Sequence, residues 1–441
     1  MKKKIERNVR TKEYFKLVLI SILIGLLSAL LGDSLKLITA HFEDIFSDIA
    51  AKYWILYILF PLMGLSIIHL CRKYFFKRKE NRGIKEIYET LKTRHNELPA
   101  YKIPSHYING FITILFGGST GIEVSTVVAS ATIGAVVQNK AKVHTAFRKE
   151  LIYAGIAAGV TALFNSPVAG ILFSLEVISK KISRNAIISI VIAASTAWGF
   201  NYLFYNEPLF TFSINRWHYH AIPSFIILSI FAGLTGVYLT KVVLIFKTRF
   251  SKFNNYWAKI LISAVILSIA LLVCPQLYGD GYHAMKDIFL ASARPIILSY
   301  SLLLLIAGVL ILKPIAAAAT LAAGGDGGVF APSLFIGAFL GLLIATLLNK
   351  YLHADLIPIN FMIIGMAAVL SASLHAPFTA TFLVCGLAGN YVLLLPIFIT
   401  CYLAKIVAKF LYAYTVYSYY PETKKASYCY EAWSDRVRIQ T

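Results

Sequence analysis

Phe116-Gly-Gly-Ser-Thr-Gly-Ile-Glu-Val-Ser-Thr126 places one carboxylate, Glu123, directly after three glycines, within an apolar stretch of membrane length. An acid inside a membrane is costly and marks a functional site by default. Glycine lets the chain turn tightly. A helix starting near Val124 would aim its free N–H groups and the positive end of its dipole at the break. That is an anion site. A second stretch, Gly324-Gly-Asp-Gly-Gly-Val-Phe-Ala-Pro332, repeats the arrangement with Pro332 in the helix-opening position, which suits proline's fixed φ and missing N–H. Two helix N-termini can then converge near the midplane, with Glu123 as a tethered anion competing with a dissolved one. The alternative use of such an acid is to tie two helices together.

The two stretches belong to a longer repeat. An offset of 210 carries Gly117-Gly118 onto Gly327-Gly328, Gly155 onto Gly365, Ala157-Ala158 onto Ala367-Ala368, Ala162 onto Ala372 and Pro167 onto Pro377. Small residues are common in membrane helices, but seven matches at one ungapped offset point to a duplicated unit. Each half carries a glycine break, a small-residue helix and a proline that opens a further helix after a short turn. Repeats of interrupted hydrophobic segments place a transport site between the halves.

Of the 441 residues, 58% are hydrophobic, well above the roughly 45–50% of soluble domains, and mean hydropathy is +0.70. A bilayer core needs roughly 20 apolar residues of helix to cross it. Candidate spans fall near 14–31, 53–70, 185–205, 223–247, 257–275, 295–312, 333–348 and 391–408. The expected fold class is an all-α integral membrane protein. Its expected divisions are a basic cytoplasmic N-terminus (1–13), a first repeat (14–205), a joint (206–222), a second repeat (223–420) and a short cytoplasmic tail (421–441).

Formal charge is +21, and residues 72–85 hold Arg72, Lys73, Lys77, Arg78, Lys79, Arg82 and Lys85 against Glu80. The positive-inside rule puts this loop and the N-terminus in the cytoplasm. Orientation and anionic-lipid contact account for the cluster, so nucleic acid is not expected as a partner. The five cysteines, Cys71, Cys274, Cys385, Cys401 and Cys429, show no CxxC or zinc spacing, so no metal, cofactor or disulfide framework is expected. A membrane enzyme would need a nucleophile–base pair or metal cluster, and none is visible. His375, in the turn before Pro377, reads as a capping residue.

At these residues the chain resembles the CLC family of chloride channels and chloride/proton exchangers. Gly121-Ile-Glu-Val-Ser125 sits where the family has Gly-Lys/Arg-Glu-Gly-Pro, and Gly327-Gly-Val-Phe-Ala-Pro332 is similar to its Gly-x-Phe-x-Pro segment. Phe164-Asn-Ser-Pro-Val-Ala-Gly-Ile-Leu-Phe-Ser-Leu-Glu-Val177 and Leu374-His-Ala-Pro-Phe-Thr-Ala380 follow in the family's order, over residues 14 to 420. The resemblance implies two inverted repeats of about 14–18 helices and a homodimer with one pore per subunit, in the plasma (inner) membrane of a prokaryote. It implies Glu123 as the gate, and the amides of Ile122, Glu123, Val124, Val329, Phe330 and Ala331 around the anion. Tyr417 best matches the pore tyrosine among Tyr412, Tyr414, Tyr417, Tyr419 and Tyr420.

Three departures stand out. Asn81-Arg-Gly-Ile-Lys85 replaces Gly-Ser-Gly-Ile-Pro, so Arg82 stands where the family has its anion-coordinating serine. It either reaches the anion as a multi-donor cation or is a cytoplasmic surface charge. Val124 and Ser125 replace Gly-Pro after the gate. Val177 occupies the position of the second, proton-carrying glutamate of exchangers, and Glu176 is one residue out of phase, about 100° around an α-helix. The expected function is chloride conduction, channel-like or weakly proton-coupled, with chloride/proton antiport as the alternative.

Overall fold

The computed structural model describes residues 2–76, 81–92, 98–141, 147–179, 183–205, 214, 216–292 and 299–419. Lys77, Arg78, Lys79 and Glu80 of the basic loop lie outside the described residues, as do most of the 206–222 joint, Tyr420 and the tail 421–441 with Cys429.

Among the described residues there are sixteen α-helices. The first repeat holds α1 (Lys2–Lys52), α2 (Leu56–Tyr74), α3 (Ile84–Lys92), α4 (Lys102–Leu115), α5 (Glu123–Lys140), α6 (Arg148–Phe164), α7 (Pro167–Leu172) and α8 (Arg184–Phe204). The second holds α9 (Ile222–Phe250), α10 (Tyr256–Val273), α11 (Tyr282–Ser292), α12 (Tyr300–Ala322), α13 (Phe330–Leu352), α14 (Pro358–Leu374), α15 (Pro377–Leu387) and α16 (Leu394–Leu411). Among the described residues, eight helices are long and apolar enough to span a membrane, and each overlaps an expected span. The first departs most. Its apolar part runs Glu13–Lys52, about 60 Å at 1.5 Å per residue, twice the bilayer core, so the segment 14–31 is only its first half. The expected cut between 13 and 14 falls inside this helix.

The core is built from α5, α6, α13 and α14, which are buried over most of their length. Their small residues allow close packing, the usual basis of helix association in membranes. A Cβ on Gly155 would lie 2.1 Å from the Ser130 carbonyl oxygen, and one on Gly365 2.2 Å from that of Gly337. Around this centre the other helices turn large apolar side chains outward, among them Leu30, Ile230, Val265 and Leu304. In lipid that face needs no covering.

The duplication is real, but its register is not uniform. The offset of 210 carries the starts of α6, α7 and α8 onto those of α14, α15 and α16. Asn165 and His375, also 210 apart, each end their helix in the left-handed conformation, with φ of 49° and 58°. His375 is therefore the helix C-cap. Around the glycine breaks the offset is 207 instead. Helix α4 ends at Leu115 and α12 at Ala322, and α5 and α13 open after Ile122 and Val329. Gly117 and Gly324 take positive φ at corresponding places. The amides of Gly118 and Gly325 each donate at 2.8 Å to the carbonyls of Thr113 and Thr320, the helix-ending pattern in which glycine permits the reversal. Pairing Gly117-Gly118 with Gly327-Gly328 was thus a coincidence of composition, and the structural counterparts are Gly324-Gly325. Three extra residues between the starts of α13 and α14 separate the two registers.

Left-handed backbone at His375 strains a β-branched side chain. His375→Val is expected to cost about 1–2 kcal/mol, while His375→Gly stays within about 1 kcal/mol of wild type. The thermal midpoint of the detergent-solubilised protein reads both.

Candidate anion pathway

The two glycine breaks meet each other. Gly121 and Gly328 form an antiparallel bridge, and the flanking amides are satisfied reciprocally. Ser119 N–H donates to Thr320 Oγ1 at 3.1 Å, and its counterpart Asp326 N–H donates to Thr113 Oγ1 at 2.9 Å. This joins the repeats and leaves the first amides of α5 and α13 directed at one place, the positive ends of two helices together. Helix α5 begins at Glu123 itself, one residue before the expected Val124, and Pro332 is the third residue of α13, not the first. Proline is tolerated there because that N–H has no intrahelical partner.

Glu123 is buried and its carboxylate lies in this junction. Its own amide and that of Ala331 flank it. Oε1 accepts a hydrogen bond from the Tyr282 hydroxyl at 2.7 Å, and Oε2 has no hydrogen-bond partner among the described residues. A Cβ on Gly121 would sit 1.9 Å from Oε2, so only glycine leaves room for the carboxylate. On one side opens a cavity of about 500 Å³, lined by Glu123 and Ile122 and by Asp33, Lys36, Asp44 and Lys286. On the other is a pocket of about 30 Å³ with Val124, Val329, Tyr417, Arg82 and Lys85 in its walls, about one water's share of liquid volume. Arg82 and Lys85 belong to the basic segment that the positive-inside rule expects on the cytoplasmic side, so the second pocket is called the inner one and the first the outer.

The expected residues Ile122, Glu123, Val124, Val329, Phe330 and Ala331 therefore come together. Tyr417 joins them. Its ring is buried, a Cβ on Gly328 would lie 3.1 Å from its hydroxyl, and that hydroxyl has no hydrogen-bond partner among the described residues. Tyr412 and Tyr414 pack on each other instead. Arg82 lines the inner pocket, but its guanidinium forks onto Glu89, with Nη2 2.7 Å and Nη1 3.1 Å from the two carboxylate oxygens.

Val177 and Glu176 sit in a stretch, Phe173–Ile178, that winds as a π-helix. The 100° step assumed for an α-helix does not apply to it. What turns Glu176 away is bonding. Its Oε2 accepts from the Thr379 amide and hydroxyl, both at 2.8 Å, and Oε1 from the Phe378 amide at 3.4 Å. A residue of the first repeat thus caps α15 of the second, satisfying donors that the helix start leaves unpaired.

A family model described as voltage gated chloride channel matches residues 63–409. The chain belongs to this family, the CLC proteins. It is 29% identical over 435 residues to the H(+)/Cl(-) exchange transporter ClcA of Salmonella arizonae, covering 93% of this chain and 89% of that one. It is 26% identical over 378 residues to the putative chloride channel protein ClcB-like of Ralstonia nicotianae, covering 83% and 85%. Among solved structures, a slow cyanobacterial Cl-/H+ antiporter superposes with a TM-score of 0.78 at 23% identity over 91% of this chain and 96% of its own. A CLC-type fluoride/proton antiporter superposes with a TM-score of 0.75 at 24% identity over 91% and 97%. The CLC fold is thereby established for this chain, in an integral membrane protein of a family that transports chloride.

Two buried charge clusters in this CLC protein escaped the sequence reading. On the inner side Asp326, beside the second break, meets His106 Nδ1 at 2.9 Å. The other ring nitrogen lies 3.7 Å from Glu86, and Glu86 accepts from Lys102 at 2.8 Å. Asn81 links this chain to the loop before α3, donating to Asp326 and accepting from Lys102 at 3.2 Å. On the outer side Lys313 is fully buried, donates to the carbonyls of Leu277 and Gly279 at 3.3 and 3.1 Å, and lies over the Phe335 ring. Glu43 accepts from the Asp280 amide at 3.0 Å. The signal was partial: Lys313 interrupts the apolar run of α12 as Glu123 interrupts its own, whereas Glu86 lies in a polar, charged stretch and Asp280 in a glycine turn.

Removing one partner of a buried ion pair strands the other. Lys102→Met is expected to destabilise the protein by about 3–5 kcal/mol, visible as a large fall in thermal midpoint. The double change Lys102→Met with Glu86→Leu should not restore it, because Glu86 Oε1 also accepts from the Arg82 amide at 2.6 Å and its other oxygen faces His106.

Proposed function

We propose that this chain conducts chloride along a pathway gated by Glu123, with at most weak coupling to protons. The observation that carries this reading is the position of the Glu123 carboxylate, which lies at the junction of the α5 and α13 N-termini, in the wall of the larger cavity and one residue from Val124 in the wall of the smaller pocket. An ionised carboxylate there takes the place of a free anion. Protonated or swung aside, it frees the same amides for chloride, held by Ile122, Glu123, Val124, Val329, Phe330 and Ala331, with the unpartnered Tyr417 hydroxyl donating from the inner side. A homodimer with one such pathway in each subunit is part of the same proposal. Arg82, forked onto Glu89, fits a charge that enriches anions at the inner mouth rather than a ligand.

Weak coupling rests on Val177, which has no exchangeable proton, and on Glu176, whose carboxylate is engaged at α15. A proton moving inward from Glu123 needs titratable groups or ordered water, because an unsolvated charge in low dielectric is prohibitive. Chloride/proton exchange is the second reading. It is favoured by the relative named an H(+)/Cl(-) exchange transporter and by the buried acids Asp326 and Glu86 behind the inner pocket.

Liposomes loaded with chloride, with external pH recorded during efflux, separate the two. The expected result is efflux down the chloride gradient without stoichiometric proton movement, and Glu123→Gln fast and nearly independent of pH. Steady uphill proton transport that Glu123→Gln abolishes would establish an exchanger, and a folded but inactive Glu123→Gln would refute the gate.

Arg82→Ser is expected to slow conduction modestly and to leave the ratios among chloride, bromide and nitrate unchanged. Altered ratios in the same efflux assay would show that the guanidinium touches the ion.

A further inference from the structure

We propose that Tyr282 is the latch of the gate: its hydroxyl, donated to Glu123 Oε1, holds the carboxylate in the anion site and sets how readily the pathway opens. The inference rests on Glu123 being the gate and adds the residue that restrains it.

The contact is short and shielded. Tyr282 Oη lies 2.7 Å from Oε1, the Glu123 side chain is buried, and the carboxylate's other oxygen has no partner among the described residues. Tyr282 therefore supplies the one side-chain hydrogen bond seen on this carboxylate among the described residues. A donor to an ionised acceptor stabilises the charged form and is stronger than a neutral bond. Outward or inward movement of Glu123 must break it.

The latch is mounted on a rigid base. Tyr282 is the first residue of α11 and follows Tyr278-Gly-Asp-Gly281, a turn with positive φ at Gly279 and Gly281. Its amide donates to Asp280 Oδ1 at 2.8 Å, and the Asp280 amide donates to Glu43 Oε1 on α1 at 3.0 Å. From α12, Lys313 binds the Gly279 and Leu277 carbonyls, and the Tyr278 hydroxyl donates to the Leu115 carbonyl at the end of α4 at 2.6 Å. Three separate helices thus fix the turn. A phenol on such a base cannot follow the carboxylate when it moves, so release costs the whole hydrogen bond. The titratable groups nearest Glu123 are Tyr282 itself, Asp280 in the turn, Lys313 on α12 and Tyr417 after α16, with Glu43 on α1 acting on Tyr282; Asp33, Lys36 and Asp44 on α1 and His283 and Lys286 on α11 face it across the larger cavity. Of these, Tyr282 is the side chain bonded to the carboxylate. It is a positioning residue for the gate.

The test compares wild type, Tyr282→Phe, Glu123→Gln and the double variant in chloride-loaded liposomes over a pH series. Phenylalanine keeps the ring and its packing and removes only the donor. Tyr282→Phe is expected to raise efflux at neutral pH about tenfold and to move the half-maximal pH of efflux upward by about one unit, the size of one charge-assisted hydrogen bond. In the Glu123→Gln background the same substitution should change nothing. If Glu123→Gln is fast and flat with pH while Tyr282→Phe superposes on wild type, the latch is refuted and the gate stands. If Tyr282→Phe accelerates efflux equally with and without Glu123, Tyr282 only shapes the outer cavity, and the latch is again refuted. A Glu123→Gln curve identical to wild type would refute the gate, and the latch with it.

Discussion

Inside a bilayer each backbone N–H and C=O must find a partner within the protein, and in this chain the two broken segments meet that demand through one another. The Gly121–Gly328 bridge and the reciprocal Thr113–Asp326 and Thr320–Ser119 bonds satisfy the irregular backbone. What remains unpaired is the set of amides at the starts of α5 and α13. The proposed anion site is thus what the backbone accounting leaves over: the donors freed when two helices are interrupted and brought together. Glu123 fills it from within. The cavities, the Tyr417 hydroxyl and the Tyr282 contact are all arranged about that one unsatisfied junction.

Charge follows the same logic on either side. Buried ions are tolerated when paired and hydrogen-bonded, and each cluster here spans two repeats. His106 on α4 is bound to Asp326 of the second break, while Glu43 on α1 is bound to Asp280 before α11. Glu176 crosses the interface as well, capping α15. These contacts hold the two halves in one relative placement, and the junction needs that, because its amides belong to different halves.

Much of the fold was legible in the sequence because hydropathy in a membrane protein is nearly unambiguous. Every expected span overlaps a helix, and Pro167 and Pro377 open α7 and α15 as their fixed φ requires. The glycine break pointed to Glu123 as the residue around which the two helix starts gather, and Gly121 and Gly328 do meet there. The limits were physical too. Composition cannot resolve a register among glycines, so Gly117-Gly118 were aligned with Gly327-Gly328 where the turns pair them with Gly324-Gly325. The span 14–31 stopped short because Asp33, Lys36 and Glu43 interrupt the apolar run that α1 continues through. Those side chains face a cavity or a buried partner, not lipid.

By itself the sequence determined that this is a helical membrane protein of two repeated halves, each broken at glycines, with an acid at the first break. Length, apolarity and the backbone freedom of glycine are local properties, readable residue by residue. Only the tertiary structure decided which donors face that acid. Tyr282 lies 159 residues from Glu123 and Ala331 lies in the other repeat, and no spacing rule connects them. It likewise turned Arg82 to Glu89 and Glu176 to α15, since the direction of a charged side chain is set by the nearest group able to pair with it. That partner is known only once the helices are packed.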